Sequence, residues 1–155
     1  MSAGRPPHLI APDEVDAWLA DSAVSTVTYH NTDRLSAQAI LANSVAIERC
    51  RVSSYGQGFY TATQADPFFG EVELVVAIRL VSPLRGEDGF VGPFIDRIAE
   101  QHGAPGGRLT SSMGRSVRRE LLRLGYDGIV VEDADGEDVD YVIALEGHSV
   151  KVVRP

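Results

Sequence analysis

The chain predicts an α+β fold, and three observations predict it. Helical periodicity is concentrated early and in the middle, short β-prone runs recur and crowd toward the end, and glycine or proline punctuates most boundaries. A length of 155 residues, with 44% hydrophobic and 23% charged residues, fits one soluble domain with a real core. Residues 1–22 read as an N-terminal tail and short helix, and 23–155 as the domain proper.

In order, Met1 to Pro7 is small, polar and Pro-rich, a loose tail. Asp13 to Leu19 follows Pro12 with acids in a first turn and Val15, Trp18 and Leu19 at i, i+3, i+4, the spacing of a short amphipathic helix. Ala23 to Tyr29 is β-branched and reads as a strand. Thr32 or Asp33 then caps a helix whose apolar face includes Leu35, Ala39, Ile40 and Ala42. Ala65 to Gly70 reads as a helical turn. Val72 to Leu80 alternates and then turns continuously apolar, as a central strand does, and Pro83 ends it. Glu87 to Gly92 has loop composition, Phe94 to Gln101 has helical spacing, and Gly103 to Gly107 breaks it.

Ser116 to Leu124 is a helix with Val117, Leu121, Leu122 and Leu124 apolar and Gly125 at C′. Its Arg115, Arg118 and Arg119 read as a solvated face. A Gly125-Tyr126-Asp127-Gly128 turn leads into Ile129 to Val131. Val139 to Leu145 and Ser149 to Val153 then flank Glu146-Gly147-His148 as a terminal hairpin. The Gly-rich Glu87 to Gly114 insert reads as a mobile segment suited to partner recognition.

Net charge is −8 with a pI near 4.9, which disfavours non-specific attraction to nucleic acid or anionic membrane. Cys50 is the single cysteine, so neither an intramolecular disulfide nor a cysteine-based metal site is expected, and a reduced, cytoplasmic environment is. No apolar run approaches the roughly twenty residues that span a bilayer, and Met1 to Pro12 lacks a signal-type apolar core. GxSxG, HExxH, Walker A and CxxC patterns are absent. Glu132 to Asp140 holds six acids, yet a calcium loop starting at Asp133 would have Ala144 at its twelfth position. No metal site is expected.

Two segments carry chemistry. Tyr29-His30-Asn31-Thr32 ends an apolar run, and Gly56-Gln57-Gly58-Phe59-Tyr60-Thr61-Ala62 follows about thirty residues later. The glycines free the backbone for positive φ or close approach, and the Phe-Tyr-Thr run is β-prone, so Tyr60 is presented where a strand begins. Such a ring can stack on a flat cationic ligand. Taken alone, His30 reads as a structural histidine and Tyr60 as a half-buried strand aromatic. Gly56-Gln57-Gly58 lacks the third glycine of a Rossmann turn.

In this order and spacing, with the late Gly125-Tyr126-Asp127-Gly128-Ile129 turn and an acidic strand end, the segments resemble the ADP-ribosyltransferase fold family. The match is to its diphtheria-toxin-like and poly-ADP-ribose-polymerase-like branch with a His-Tyr-acidic core, and it runs from about Val27 to Val153. The resemblance implies a split β-sheet core and transfer of ADP-ribose from NAD⁺ to a macromolecular acceptor, protein ahead of nucleic acid, with release of nicotinamide. A toxin or phage–host conflict setting goes with it, with an antidote or target protein as partner and action in a cytoplasm.

It further implies that His30 bonds a ribose hydroxyl, that Asn31 and Thr32 fix the nicotinamide amide through the backbone, and that Gly58 and Tyr60 build the ring platform. Phe68 or Phe69 forms the opposite wall. Position 31 is usually Gly in the family, and Asn tolerates left-handed backbone better than most residues. A carboxylate then stabilises the oxocarbenium-like state and activates the acceptor. Glu132, Asp133 and Asp140 are the candidates, and distance from the Gly-Tyr-Asp-Gly turn favours Asp133. Along a strand from Ile129, Asp133 shares a face with Ile129 and Val131, and Glu132 takes the other. NAD⁺ glycohydrolase activity and an inactive NAD⁺- or partner-binding module are the alternatives.

Overall fold

In the computed structural model, which describes residues 6–103, 109–134 and 138–155, one eight-stranded mixed sheet organises the chain. Most of the Gly103 to Gly107 breaker and the middle of the acidic run lie outside the described residues. The elements are β1 (Leu9–Ile10), α1 (Val15–Trp18), β2 (Thr28–Thr32), α2 (Arg34–Asn43), β3 (Val52–Ser53), β4 (Gly56–Gln57), β5 (Phe59–Ala62), β6 (Val72–Ile78) and β7 (Pro83–Glu87). They continue with α3 (Asp88–Gln101), α4 (Ser111–Arg123), β8 (Gly128–Glu132), β9 (Tyr141–Ala144) and β10 (Val150–Val153).

The strand order is β1-β10-β6-β2-β5-β9-β8-β7, with β3 and β4 as a separate ribbon. Parallel pairing occurs at β1–β10 and β7–β8, and the other ladders are antiparallel. The β7–β8 pair is joined through α3 and α4, as parallel neighbours require a long crossover.

The sheet cannot lie flat. Strands β9 and β10 stand four inter-strand steps apart in the order, about 19 Å in a flat sheet. Only residues 145–149 join them, and three of these form a 3₁₀ turn, Gly147–Ser149. A chain this short cannot cover that span while turning, so the sheet curls until its halves face one another. The core agrees: Leu74, Val76, Ile78, Val150 and Val152 from one half share a cluster with Phe59, Val130, Val142 and Ala144 from the other. Residues Ala37, Ile40 and Leu41 of α2, with Val24, Val45 and Ile47, fill this inner face.

The outer face is covered twice. Val15 and Leu19 pack over Ala77 at one end, and α3 and α4 pack over Ile129, Val131 and Ile143 at the other.

Several expectations shift. The early strand runs Thr28–Thr32, with 23–27 irregular, because the ladder to β6 begins at Thr28↔Val76. Pro83 starts β7, as its missing N–H permits at a first strand residue. The expected loop at 87–92 is helix from Asp88 onward: Val91, Ile95, Ile98 and Ala99 bury one α3 stripe, and that burial outweighs two glycines and Pro93. The 87–114 insert is therefore largely α3 and the first turn of α4, whose cap Thr110 accepts from Met113 N–H. The terminal hairpin does not form; β9 pairs with β5 and β8, and β10 with β6 and β1. Arg118 is not solvated, since its Nε donates to the Leu145 carbonyl at 2.8 Å and holds the β9–β10 connector.

Among the described residues no helix is long and apolar enough to cross a membrane.

Candidate functional site

The motif segments, far apart in sequence, occupy three consecutive strands of the sheet: β2 carries His30, β5 carries Tyr60, and β9 begins after Asp140. Between β2 and β6 five residue pairs register, Thr28↔Val76 through Thr32↔Val72. Between β2 and β5 there is one, Tyr29↔Ala62. The seam between the two halves of the sheet is this β2–β5 edge. His30 Nδ1–H donates to the Tyr60 carbonyl at 2.8 Å and ties it shut where backbone pairing has stopped.

A carbonyl can only accept, so the bond fixes the tautomer: Nδ1 carries the proton and Nε2 is left as an acceptor. Burial lowers the His30 pKa below its ordinary 6.5, only partly offset by the bond to Tyr60. The imidazole also stacks on Phe59, centroids 4.2 Å apart.

Pleat parity then divides the candidates. Ala62 pairs with Tyr29, so Tyr60, two residues back, shares the outer face with Tyr29 and Asn31. His30 lies on the inner face with Phe59 and Thr61, as its ring contact with Phe59 requires. The pair expected to hold the ribose and the nicotinamide of one dinucleotide, His30 and Tyr60, is thus split across the sheet. Tyr60 is also committed locally: its hydroxyl donates to the Gly56 carbonyl at 2.7 Å and accepts the Tyr55 amide at 3.0 Å. Burial raises its pKa well above 10.

The two glycines divide the work expected of them. Gly56 takes φ +99°, and Gly58 is a close approach, where a Cβ would lie 2.6 Å from Ile143 Cγ2 and 3.1 Å from the Ala144 carbonyl.

Asn31 sits in extended β2, not in left-handed backbone, so the conformational tolerance invoked for it is not used. Its side chain instead reaches the loop after β5. Phe68 and Phe69 protrude from that loop, 88% and 66% exposed, their rings edge to face at 5.5 Å. Thr32 backs the same loop, since a Cβ on Gly70 would lie 2.4 Å from its carbonyl carbon.

The acids also separate. Strand β8 ends at Glu132, and Asp133 turns to φ +49°, exposed, so the alternation that put Asp133 on the face of Ile129 and Val131 does not extend to it. Glu132 pairs with Arg85, Nε to Oε1 at 2.9 Å. Asp140 is half-buried: its amide donates to Thr63 Oγ1 at 2.9 Å, and its Oδ1 accepts the Asp133 amide at 3.1 Å. The Thr63 amide in turn donates to the Asp140 carbonyl, so the β5–β9 pairing runs one step past Ala62↔Tyr141 and Asp140 faces inward with Val142.

Asp140, Thr63, Arg85, Val130 and Val142 line a cavity of about 130 Å³ together with Ala23 to Thr26. A cavity of about 280 Å³ between α3 and α4, lined by Arg97, Gln101 and Arg123 among others, contains none of the motif residues. Nothing in the local sequence pattern of Thr63 and Arg85 marks them; only the strand order brings them to Asp140.

Among the described residues no cluster of His, Cys, Asp and Glu is placed to hold a metal ion. The Cys50 thiol is pushed up to about 11, chiefly by burial, and is not a poised nucleophile.

No protein-family model matches the sequence, and no curated protein matches it. Among solved structures, the crystal structure of an anti-CRISPR protein aligns at TM-score 0.43 with 15% identity, covering 83% of this chain and 95% of that one. Similarity of that size assigns neither family nor activity. What stands is the class: a mixed α+β domain built on one large curled sheet with a few helices.

Proposed function

We propose that the chain is an NAD⁺-dependent ADP-ribosyltransferase of the split-sheet, His-Tyr-acidic kind, releasing nicotinamide and modifying a macromolecular acceptor. The observation that carries it is that His30 on β2, Tyr60 on β5 and Asp140 just before β9 belong to strands adjacent in the sheet, across a seam held by one residue pair. On this reading NAD⁺ is the substrate. The free Nε2 of a neutral His30 accepts a ribose hydroxyl, and the exposed Phe68 and Phe69 rings offer a stacking surface for nicotinamide.

The glycosidic C–N bond breaks with its electron pair passing to the nicotinamide nitrogen, and the acceptor oxygen or nitrogen bonds to the ribose carbon. The acceptor's proton goes to a carboxylate. Asp140 suits that role better than Asp133: it shares the inner face with His30 and lines a cavity, whereas Asp133 is exposed. A protein acceptor accords with the net charge of −8.

The test is nicotinamide release from NAD⁺ by purified protein. Release that is lost in Asp140→Ala and His30→Ala and kept in Asp133→Ala supports the reading and the assignment of the acid. The absence of both release and calorimetric NAD⁺ binding in the wild type overturns it. Labelled NAD⁺ with candidate lysates separates transfer from hydrolysis. One observation favours a second reading, a binding module without turnover: His30 and Tyr60 project from opposite faces of the sheet. NAD⁺ binding without release would establish it.

A further inference from the structure

The outer face of β2 carries a side chain whose bonds go wholly to another element. Asn31 Oδ1 accepts the Asp66 amide at 3.0 Å, and Asn31 Nδ2 donates to the Gly70 carbonyl at 3.4 Å. An N–H on one side and a carbonyl on the other leave a single orientation for the carboxamide. These two partners bracket the 3₁₀ turn Pro67–Phe69. Inside the bracket Asp66 Oδ1 accepts the Phe68 amide at 3.0 Å, and the Phe69 and Gly70 amides donate back to Asp66 and Pro67. Only Gly70, pressed against the Thr32 backbone, lets the loop approach β2 this closely.

The result is two large aromatic rings, mostly in water, on a loop that lacks a core of its own and is fastened at both ends by one side chain. Exposing two such rings together costs apolar hydration, and a fastened turn loses little further entropy when a flat ligand is stacked on it.

We propose that Asn31 is a positioning residue, a latch that holds the Phe68–Phe69 platform against β2 and thereby sets affinity for a planar aromatic cation such as nicotinamide in NAD⁺. This rests on the proposed transferase reading. A glycine at this position has no side chain with which to form the latch.

The experiment compares wild type, Asn31→Ala, the surface double variant Phe68→Ala/Phe69→Ala, and the triple variant, by NMR amide exchange and by nicotinamide release from NAD⁺. Asn31→Ala raises exchange of the Asp66 amide about tenfold, the loss of roughly one hydrogen bond. It raises KM for NAD⁺ about tenfold with kcat within about twofold, because ground-state and transition-state binding are lost together. The triple variant has the KM of the double variant, since a latch has nothing to hold once the rings are gone. Unchanged Asp66 exchange, unchanged KM, or additive effects in the triple variant overturn the proposal. A wild type that neither binds NAD⁺ nor releases nicotinamide overturns the transferase reading and the ligand half of this one, while the exchange measurement still decides whether Asn31 is a latch.

Discussion

Strand β2 is gripped unevenly. Toward β6 it has five registered pairs; toward β5 it has Tyr29↔Ala62 and the side-chain bond from His30. The first edge is an ordinary antiparallel ladder. The second is a joint, where a polar ring stacked on Phe59 does what backbone pairing does elsewhere. The motif residues are structural at this joint: His30 closes it, Gly58 lets β9 lie close behind it, and Tyr60 folds its own turn. A loss of the proposed nicotinamide release on mutating any of them is therefore ambiguous until stability is measured beside it.

The largest effect falls on Phe59, 2% exposed and the seat of His30 in the inner core. Phe59→Ala costs about 3–5 kcal/mol by denaturant titration, and a cost near that of a surface change would show that the joint is not a packed one.

Gly58→Ala is next. A Cβ forced against Ile143 and the Ala144 carbonyl costs about 1–3 kcal/mol, and a neutral result would mean that β9 gives way freely.

His30 supplies a pH signature. The folded imidazole stays neutral because burial lowers its pKa, while the unfolded one takes up a proton near 6.5. The stability it contributes is therefore present above pH 6.5 and is lost as pH falls below that value toward the folded pKa. His30→Gln flattens the corresponding slope between about pH 7 and 5, and an unaltered slope would place the proton elsewhere.

The smallest effect is a gain. Thr28 Oγ1, fully buried at the start of β2, has no hydrogen-bond partner, the one such buried side-chain atom among the described residues. Thr28→Val, of similar shape, raises stability by up to about 1 kcal/mol. A loss instead would mean that the hydroxyl matters to the joint.

Much of the local architecture was legible in the sequence because it is written in short-range chemistry. Asp33 caps α2 by accepting the Ser36 amide, Gly125 takes φ +95° after α4, and β6 alternates before becoming wholly buried, each from residues within a few positions of one another. The α3 start was hidden because Gly89, Gly92 and Pro93 argue for a loop, and only the cluster that Val91, Ile95 and Ile98 join overrules them.

The sequence alone determined the mixed α+β class and most element positions, and it marks His30, Asn31 and Tyr60 as candidates. Tertiary structure alone decided which strands neighbour which, that β10 leaves β9 to pair with β6, that His30 and Tyr60 face opposite ways, and that Asp140 rather than Asp133 lies with Thr63 and Arg85. The reason is physical. Caps, turns and periodicity are set by neighbours along the chain, whereas the face a strand residue takes depends on register with strands tens of residues away, and shifting that register by one residue reverses it.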